Sequence, residues 1–168
     1  AGLNCAAKLV RYRHNDMQHL QQKLAPTDVN RLIVTEGVFS MDGDNAPLRP
    51  IRQLADSSNS WLMVDDAHGI GVLGEQGRGT ANAQGLSAKE VDITMATFGK
   101  AVGTMGAFVA GSSDTIEYLI QFCRHYIYST AMPPAMAAAT YTSLLTLAKE
   151  DWRRDKLTQL IGYFKAKM

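Results

Sequence analysis

The 168 residues suffice for one globular domain, and the shares of hydrophobic (46%) and charged (20%) residues are ordinary for such a domain. Basic and acidic residues, 17 and 16 in number, are interspersed and leave a net charge of +1, which gives no electrostatic case for binding nucleic acid or a membrane surface. The two cysteines, Cys5 and Cys123, form no CxxC pair, so we expect a reducing compartment, the cytoplasm, with Cys123 as a buried apolar side chain.

The first predicted elements are a short helix and a strand. Asp16 can cap a short helix that carries Met17, Leu20 and Leu24 on one face. The segment Pro26-Thr27-Asp28 interrupts the chain. The apolar and β-branched run from Arg31 to Thr35 then predicts a buried strand.

A loop and a second helix follow this strand. Residues 36–47 are rich in Gly, Asp, Asn and Ser, which predicts a loop. Pro50 is suited to the first position of a helix, because its missing N–H would have no intrahelical partner there. The helix that it opens would place Ile51, Leu54 and Ala55 on its inner face.

Three further strands are predicted. The run 61–64 is apolar on both faces, which is typical of a central strand of a parallel sheet. A long glycine-rich loop covers residues 65–79, and the runs 91–97 and 106–110 predict the third and fourth strands. Because strands alternate with helices, we expect an α/β fold with a mainly parallel sheet flanked by helices.

The C-terminal third predicts three helices. Asp114 and Glu117 resemble a capping box at the start of the first, and Asp151 can cap the last. An alanine-rich helix lies between them, after Pro133-Pro134 and up to about Lys149. The apolar stripe of the first helix would comprise Ile116, Leu119, Ile120 and Cys123, and that of the last Leu157, Leu160, Ile161 and Phe164.

Reactive side chains follow three of the predicted strands. In open α/β sheets, ligands bind outside the carboxyl ends of the strands. The three ends run from Glu36 to Ser40, from Asp65 to His68 and from Thr97 to Lys100. Their convergence on one edge is a stronger indication of a site than any one motif.

Lys100 is a candidate for covalent chemistry. Most lysines are surface charges, but the glycines around this one, Gly99, Gly103 and Gly106, would let the backbone approach a ligand closely. A lysine enclosed there would be shifted toward its neutral amine, which can condense with an aldehyde. The same glycines are also compatible with a flexible loop between strands.

Asp65 and His68 are candidates for binding a heterocycle, through its ring nitrogen and its hydroxyl respectively. A solvated polar strand end explains them equally well in isolation. A metal site formed with Asp66 is a second alternative, but no further ligand lies at a suitable spacing, and we expect no metal. Together with Lys100, these residues indicate an enzyme that uses pyridoxal 5'-phosphate (PLP), a cofactor that serves as an electron sink.

Hydroxyl groups supply candidate phosphate contacts at Ser40, Thr97, Ser129 and Thr130, although single hydroxyls in loops are more often turn formers. The sequence has no GxxxxGK[ST] motif, which disfavours an NTPase. It has no GxSxG motif either, so a serine hydrolase has no support.

Four segments carry a resemblance to a known family. They are Thr35-Glu-Gly-Val-Phe-Ser-Met-Asp-Gly-Asp44, Val64-Asp-Asp-Ala-His-Gly69, Thr97-Phe-Gly-Lys100 and Ile127-Tyr-Ser-Thr-Ala-Met-Pro-Pro134. In this order and spacing they resemble the α-oxoamine synthases. These are fold-type-I (aspartate aminotransferase-like) PLP enzymes that join an amino acid to an acyl thioester with loss of carbon dioxide.

The resemblance implies a role for each candidate. Lys100 matches the lysine that forms the Schiff base with PLP, Asp65 the partner of the pyridine nitrogen, and His68 the partner of the ring hydroxyl. Ser40 and Thr97 match polar contacts to the cofactor. Lys100, Asp65 and His68 would thus be the catalytic residues.

The resemblance also implies a homodimer, because Ser129 and Thr130 match a phosphate pocket that the family builds across its dimer interface. The wording of the motifs is nearest to the branch of the family whose substrates are L-alanine and pimeloyl-CoA or pimeloyl-acyl carrier protein. A sister synthase with another amino acid or acyl group remains an alternative.

Parts of the family pattern fall outside this sequence, namely the phosphate-binding turn, the histidine that stacks on the ring and the smaller C-terminal domain. We therefore expect a fragment of a longer subunit, which begins at Ala1 without an initiator methionine. Residues 1–150 would form part of the large PLP-binding domain, and 151–168 a helix that leads toward the missing domain. An inactive piece that serves only within the larger subunit is the remaining alternative.

Overall fold

A computed structural model describes residues 6–24 and 29–168. Its four strands form one sheet in chain order, β1-β2-β3-β4. The first two pairings are parallel and the last is antiparallel, which confirms the predicted α/β fold with a mainly parallel sheet. The strands are β1 (Leu32–Glu36), β2 (Trp61–Asp65), β3 (Ile93–Thr97) and β4 (Ala107–Gly111). Cys5 and the predicted break at 26–28 lie outside the described residues.

The core lies on one face of the sheet. Alternate residues of β1 and β2 point to this face, where Leu62 and Val64 are buried against helix α2 (Leu48–Ser57). The other face is only partly covered by the described chain, since Trp61 is 52% exposed and Val34 53% exposed. The position of β2 between two parallel neighbours is as predicted, but its burial on both faces is not observed within the described residues.

The first two helices show which capping signals were informative. Helix α1 spans Met17–Lys23, and its cap is confirmed because Asp16 accepts a hydrogen bond from the backbone N–H of His19 at 2.8 Å. Helix α2 begins at Leu48, not at Pro50 as predicted. A proline is tolerated anywhere in the first turn, where N–H groups have no intrahelical partner, so Pro50 does not fix the first position.

The segment between β2 and β3 is less irregular than predicted. It contains a short helix α3 (Thr80–Ala83) and two 3-10 turns, Glu75–Gly77 and Ala88–Glu90. These elements are too short to produce a recognisable hydrophobic period.

The number of long helices after β4 is as predicted, but not all of their boundaries are. They are α4 (Ser113–Phe122), α5 (Arg124–Ile127), α6 (Pro134–Lys149) and α7 (Trp152–Lys167). The short helix α5 was not predicted. No helix in the described part of the chain is long and apolar enough to cross a membrane.

Three predictions about these helices need correction. The N-cap of α4 is Ser112, whose hydroxyl accepts from the backbone N–H of Thr115 at 3.2 Å, so Asp114 is the second residue of the helix and not its cap. Asp151 occupies the N-cap position of α7, as predicted, but its side chain makes no capping hydrogen bond and pairs with Arg154 instead. Cys123 is half-buried, not buried, because it follows the end of α4.

The apolar stripes of α4 and α7 contain no buried residue. The four residues of the stripe predicted on α7 are 39–63% exposed in the described chain.

Candidate active site

The register of the strands brings the carboxyl ends of β1, β2 and β3 to one edge. Glu36 lies opposite Asp65, and Asp65 lies opposite Met95. Since neighbours in a ladder point to the same side and alternate residues share a face, Thr97 shares the face of Glu36 and Asp65. This is the face that α2 does not cover. The predicted convergence of Asp65 and Thr97 is thus observed in the fold.

Two consecutive aspartates follow β2 and have different environments. Asp66 is buried, and its carboxylate accepts from the Thr80 hydroxyl at 2.6 Å and from the Thr80 N–H at 2.8 Å. Burial raises the pKa of the Asp66 carboxyl, and the two bonds from Thr80 oppose the rise. Asp65 is half-buried and accepts only from the N–H of Ala67 among the described groups, at 3.1 Å. Asp65 is therefore the carboxylate available to a ligand.

Glycines surround the buried carboxylate of Asp66. A Cβ atom at Gly37, Gly69 or Gly79 would lie 2.3, 2.1 or 2.0 Å from a carboxylate oxygen of Asp66. No side chain fits at such distances, so the glycines that follow Glu36 and His68 are explained by packing. Asp66 thus fixes the relative position of the turns after β1 and β2.

Replacing Thr80 with valine tests this structural role. The Asp66 carboxylate would lose its hydroxyl partner, and we expect the free energy of unfolding to fall by about 1–3 kcal/mol. The Thr80 hydroxyl opposes the rise in the pKa of Asp66, so Thr80→Val should raise this folded-state pKa further, and the loss of stability relative to wild type should be larger at neutral pH, where the carboxyl is ionised, than at acid pH, where it is protonated. Urea unfolding followed by circular dichroism measures both effects. Thr80→Ser keeps the hydroxyl, so it should lower the free energy of unfolding by less than Thr80→Val.

Lys100 lies in the turn that joins β3 to β4. The turn is closed by backbone hydrogen bonds, from Phe98 to Gly106 at 2.8 Å and from Gly103 to Lys100 at 2.9 Å. The Lys100 side chain is exposed, and a Cβ at Gly99 would have a single neighbour within 4 Å, at 3.8 Å. The expectation that this glycine-rich turn encloses Lys100 is therefore wrong for the described chain, because the turn projects beyond the strand ends.

The remaining predicted site residues differ in their exposure and in their position relative to the sheet edge. His68 is half-buried in the turn that follows Asp65, whereas Ser40 is exposed in the loop after β1. Ser129 and Thr130 are exposed between α5 and α6, and the Ser129 hydroxyl donates to the backbone carbonyl of His125. The described chain brings neither of these last two residues into contact with the sheet edge.

A cleft of about 490 Å³ opens beside Asp65. It is lined by Tyr12, His14, Asn15, Val34, Thr35, Glu36, Phe39 and Asp65. The segment before α1 thus forms one wall of the cleft, which sequence reasoning missed. The polar run Arg13-His-Asn-Asp16 was the available signal, but nothing in it indicates which loop it contacts.

This wall is attached to the loop after β1. The His14 ring packs edge-on against Phe39 with centroids 4.3 Å apart, and its Nε2 lies 2.7 Å from Asp44 Oδ2. Asn15 donates to the same carboxylate oxygen at 2.8 Å. These contacts join the wall of the cleft to the loop that carries Ser40.

The metal-site alternative at residues 65–68 is not supported by this geometry. Asp66 is directed at Thr80, away from Asp65. Within residues 6–24 and 29–168, three potential metal ligands come together only at His14, Asp42 and Asp44, around the contact between His14 and Asp44.

The chemistry of the side chains at the sheet edge fits the ring of PLP. Asp65 offers a carboxylate to a protonated ring nitrogen, and Lys100 offers an amine to an aldehyde. Neither residue forms an ion pair with another described residue. The described chain does not, however, supply a comparable set of groups for the phosphate.

Comparisons with known proteins agree with this assignment. The profile of the family described as Aminotransferase class I and II matches residues 4–168. An 8-amino-7-oxononanoate synthase from Saccharophagus degradans is 54% identical over 165 residues, which are 98% of this chain and 42% of that protein. The chain thus spans less than half the length of this relative.

Solved structures give the same picture. A serine palmitoyltransferase variant from S. paucimobilis with a bound PLP–myriocin aldimine has a TM-score of 0.86 and 37% identity, over 91% of this chain and 39% of its own. The 8-amino-7-oxononanoate synthase from Francisella tularensis has a TM-score of 0.82 and 39% identity, over 94% of this chain and 45% of its own. These matches confirm the expected fold-type-I architecture.

Proposed function

Since the chain belongs to the class I and II aminotransferase family, we propose that the full-length protein is a PLP-dependent acyltransferase, the 8-amino-7-oxononanoate synthase of biotin biosynthesis. L-alanine and pimeloyl-CoA or pimeloyl-acyl carrier protein would give 8-amino-7-oxononanoate, carbon dioxide and the free thiol of the carrier. The observation that carries the proposal is 52–54% identity over 98% of the chain to relatives of that name.

Each residue at the sheet edge has a task in this reaction. PLP, when bound, supplies an electron sink for the carbon being deprotonated. Asp65 would hold a proton at the ring nitrogen, and His68, Ser40 and Thr97 would orient the cofactor. Lys100 would attach the cofactor through its amine and, once displaced by the substrate amine, would take the proton from the α-carbon as a general base.

A sister activity has less support. Serine palmitoyltransferase structures are 37% identical to the chain, close to the 39% of the solved 8-amino-7-oxononanoate synthase, but the curated relatives at 52–54% identity are 8-amino-7-oxononanoate synthases. No feature of the site favours 2-amino-3-ketobutyrate ligase.

The proposal includes a homodimer located in the cytoplasm. Ser129 and Thr130 would then reach the phosphate of the cofactor held by the other subunit. Large apolar side chains in the same region support an interface, since Tyr118, Phe122 and Tyr126 are 64–65% exposed in the described chain.

The activity is tested with the purified full-length protein, PLP, L-alanine and pimeloyl-CoA by following the release of free thiol. We expect turnover with this pair and little with glycine and acetyl-CoA. Preference for the second pair would replace the proposed substrates by those of 2-amino-3-ketobutyrate ligase. No turnover with any amino acid would contradict the proposed function.

The 168 residues by themselves should show no synthase activity and only weak PLP binding. Lys100 is exposed and one face of the sheet is partly uncovered, so reactants would not be held in a productive geometry, and displacements of about 1 Å can reduce rates about a hundredfold. The same thiol assay and a PLP absorbance titration check both expectations. Turnover equal to that of the full-length protein would show that the rest of the subunit is dispensable.

A further inference from the structure

Glu36 and Asp65 form a pair of carboxylates at the sheet edge. They lie directly opposite each other in the parallel ladder of β1 and β2, and adjacent strands are about 4.8 Å apart. Their side chains point to the same face, and both line the cleft of about 490 Å³. Both carboxylates therefore face the same cleft, from neighbouring strands.

Backbone hydrogen bonds hold both residues at the end of their strands. The N–H of Gly37 donates to the carbonyl of Asp65 at 2.8 Å, which extends the ladder by one step beyond the paired residues. Glu36 Oε2 accepts from the backbone N–H of Ser40 at 3.2 Å. The Glu36 carboxylate is thus tied to the turn that follows β1 and remains at the strand end.

The charges around this pair do not neutralise it. Among the described residues, neither carboxylate forms an ion pair with a lysine, arginine or histidine. The titratable groups that line the cleft from the segment before α1 are Tyr12 and His14, and His14 is paired with Asp44. Two like charges side by side repel each other, and a cationic ligand group placed between them would remove the repulsion.

We infer that Glu36 is a second carboxylate of the cofactor site and that, together with Asp65, it stabilises the protonated ring nitrogen of PLP. The inference rests on the proposed function, since it requires PLP in this cleft. Asp65 would contact the ring nitrogen directly, and Glu36 would act on it through its charge from the neighbouring strand.

The test compares Glu36→Gln with Glu75→Gln in the full-length protein. At position 36, glutamine keeps an acceptor for the Ser40 N–H but carries no charge. Glu75 is exposed and does not line the cleft, so Glu75→Gln makes the same change of charge away from the cleft and is a matched control. We expect Glu36→Gln to weaken PLP binding about two- to tenfold in an absorbance titration. In a pH titration of ¹⁵N-labelled PLP by NMR, its ring nitrogen should lose the proton at a lower pH than in the wild type. Glu75→Gln should change neither property.

The outcomes separate the inference from its premise. If Glu36→Gln behaves like Glu75→Gln in both measurements, the inference is overturned. The inference is also overturned if Glu36→Ala weakens PLP binding while Glu36→Gln binds PLP as the wild type does. Glu36 would then serve only to hold the turn at Ser40. If the wild-type protein itself binds no PLP, the proposed function fails first. Circular dichroism of each variant excludes misfolding as the cause of a change.

Discussion

Replacing Lys100 with alanine in the full-length protein should abolish covalent attachment of PLP and lower turnover by at least about 10²–10⁴-fold, the contribution of a positioned general base. The loss should be this large because Lys100 is assigned two tasks, cofactor attachment and proton transfer. Borohydride reduction of the wild-type protein with PLP, followed by peptide mapping, should place the label on Lys100.

Lys89→Ala is the matched control for this variant. Lys89 is also exposed but lies in the 3-10 turn before β3, so its replacement should leave turnover and labelling unchanged. A label on Lys89 or on any other lysine would remove Lys100 from the proposed site.

The strands were predictable because their signals are local. Each is a short apolar run that ends in polar residues, and the observed bounds of all four lie within two residues of the predicted ones. Helix starts were less predictable, because Ser112 and Asp114 are both good capping residues and the backbone conformation decides between them. The sequence of α4 alone does not contain that information.

The candidate site was predictable at the level of the sheet edge but not of single side chains. The sequence does not show that Asp66 turns to Thr80, fourteen residues later, while its neighbour Asp65 stays available to a ligand. The wall formed by His14 depends on Asp44, thirty residues away in the chain, and such contacts leave no periodic pattern. The exposure of Lys100 also depends on which parts of the subunit surround its turn.

Asp65→Asn should lower turnover far more than it lowers cofactor occupancy. The amide can still contact the ring nitrogen but cannot stabilise its proton, so the protein loses a charge-assisted interaction of about 1.5–3 kcal/mol. That loss corresponds to a reduction of about ten- to a hundredfold in the rate of proton removal from the substrate. Occupancy is measured from the absorbance of bound PLP and turnover from the release of free thiol. Asp114→Asn, on the exposed first turn of α4, is the control with the same change of charge.

Exchange of the α-hydrogen of L-alanine with D₂O isolates the step on which Asp65 should act. This exchange needs no acyl substrate, so it reports proton transfer without the later condensation. We expect it to slow in Asp65→Asn by the same factor as turnover and to stay unchanged in Asp114→Asn. An unchanged exchange rate in Asp65→Asn, with PLP bound, would show that the electron sink does not depend on this carboxylate. The ring-nitrogen role would then have to pass to Glu36, the only other carboxylate that lines the cleft in the described chain.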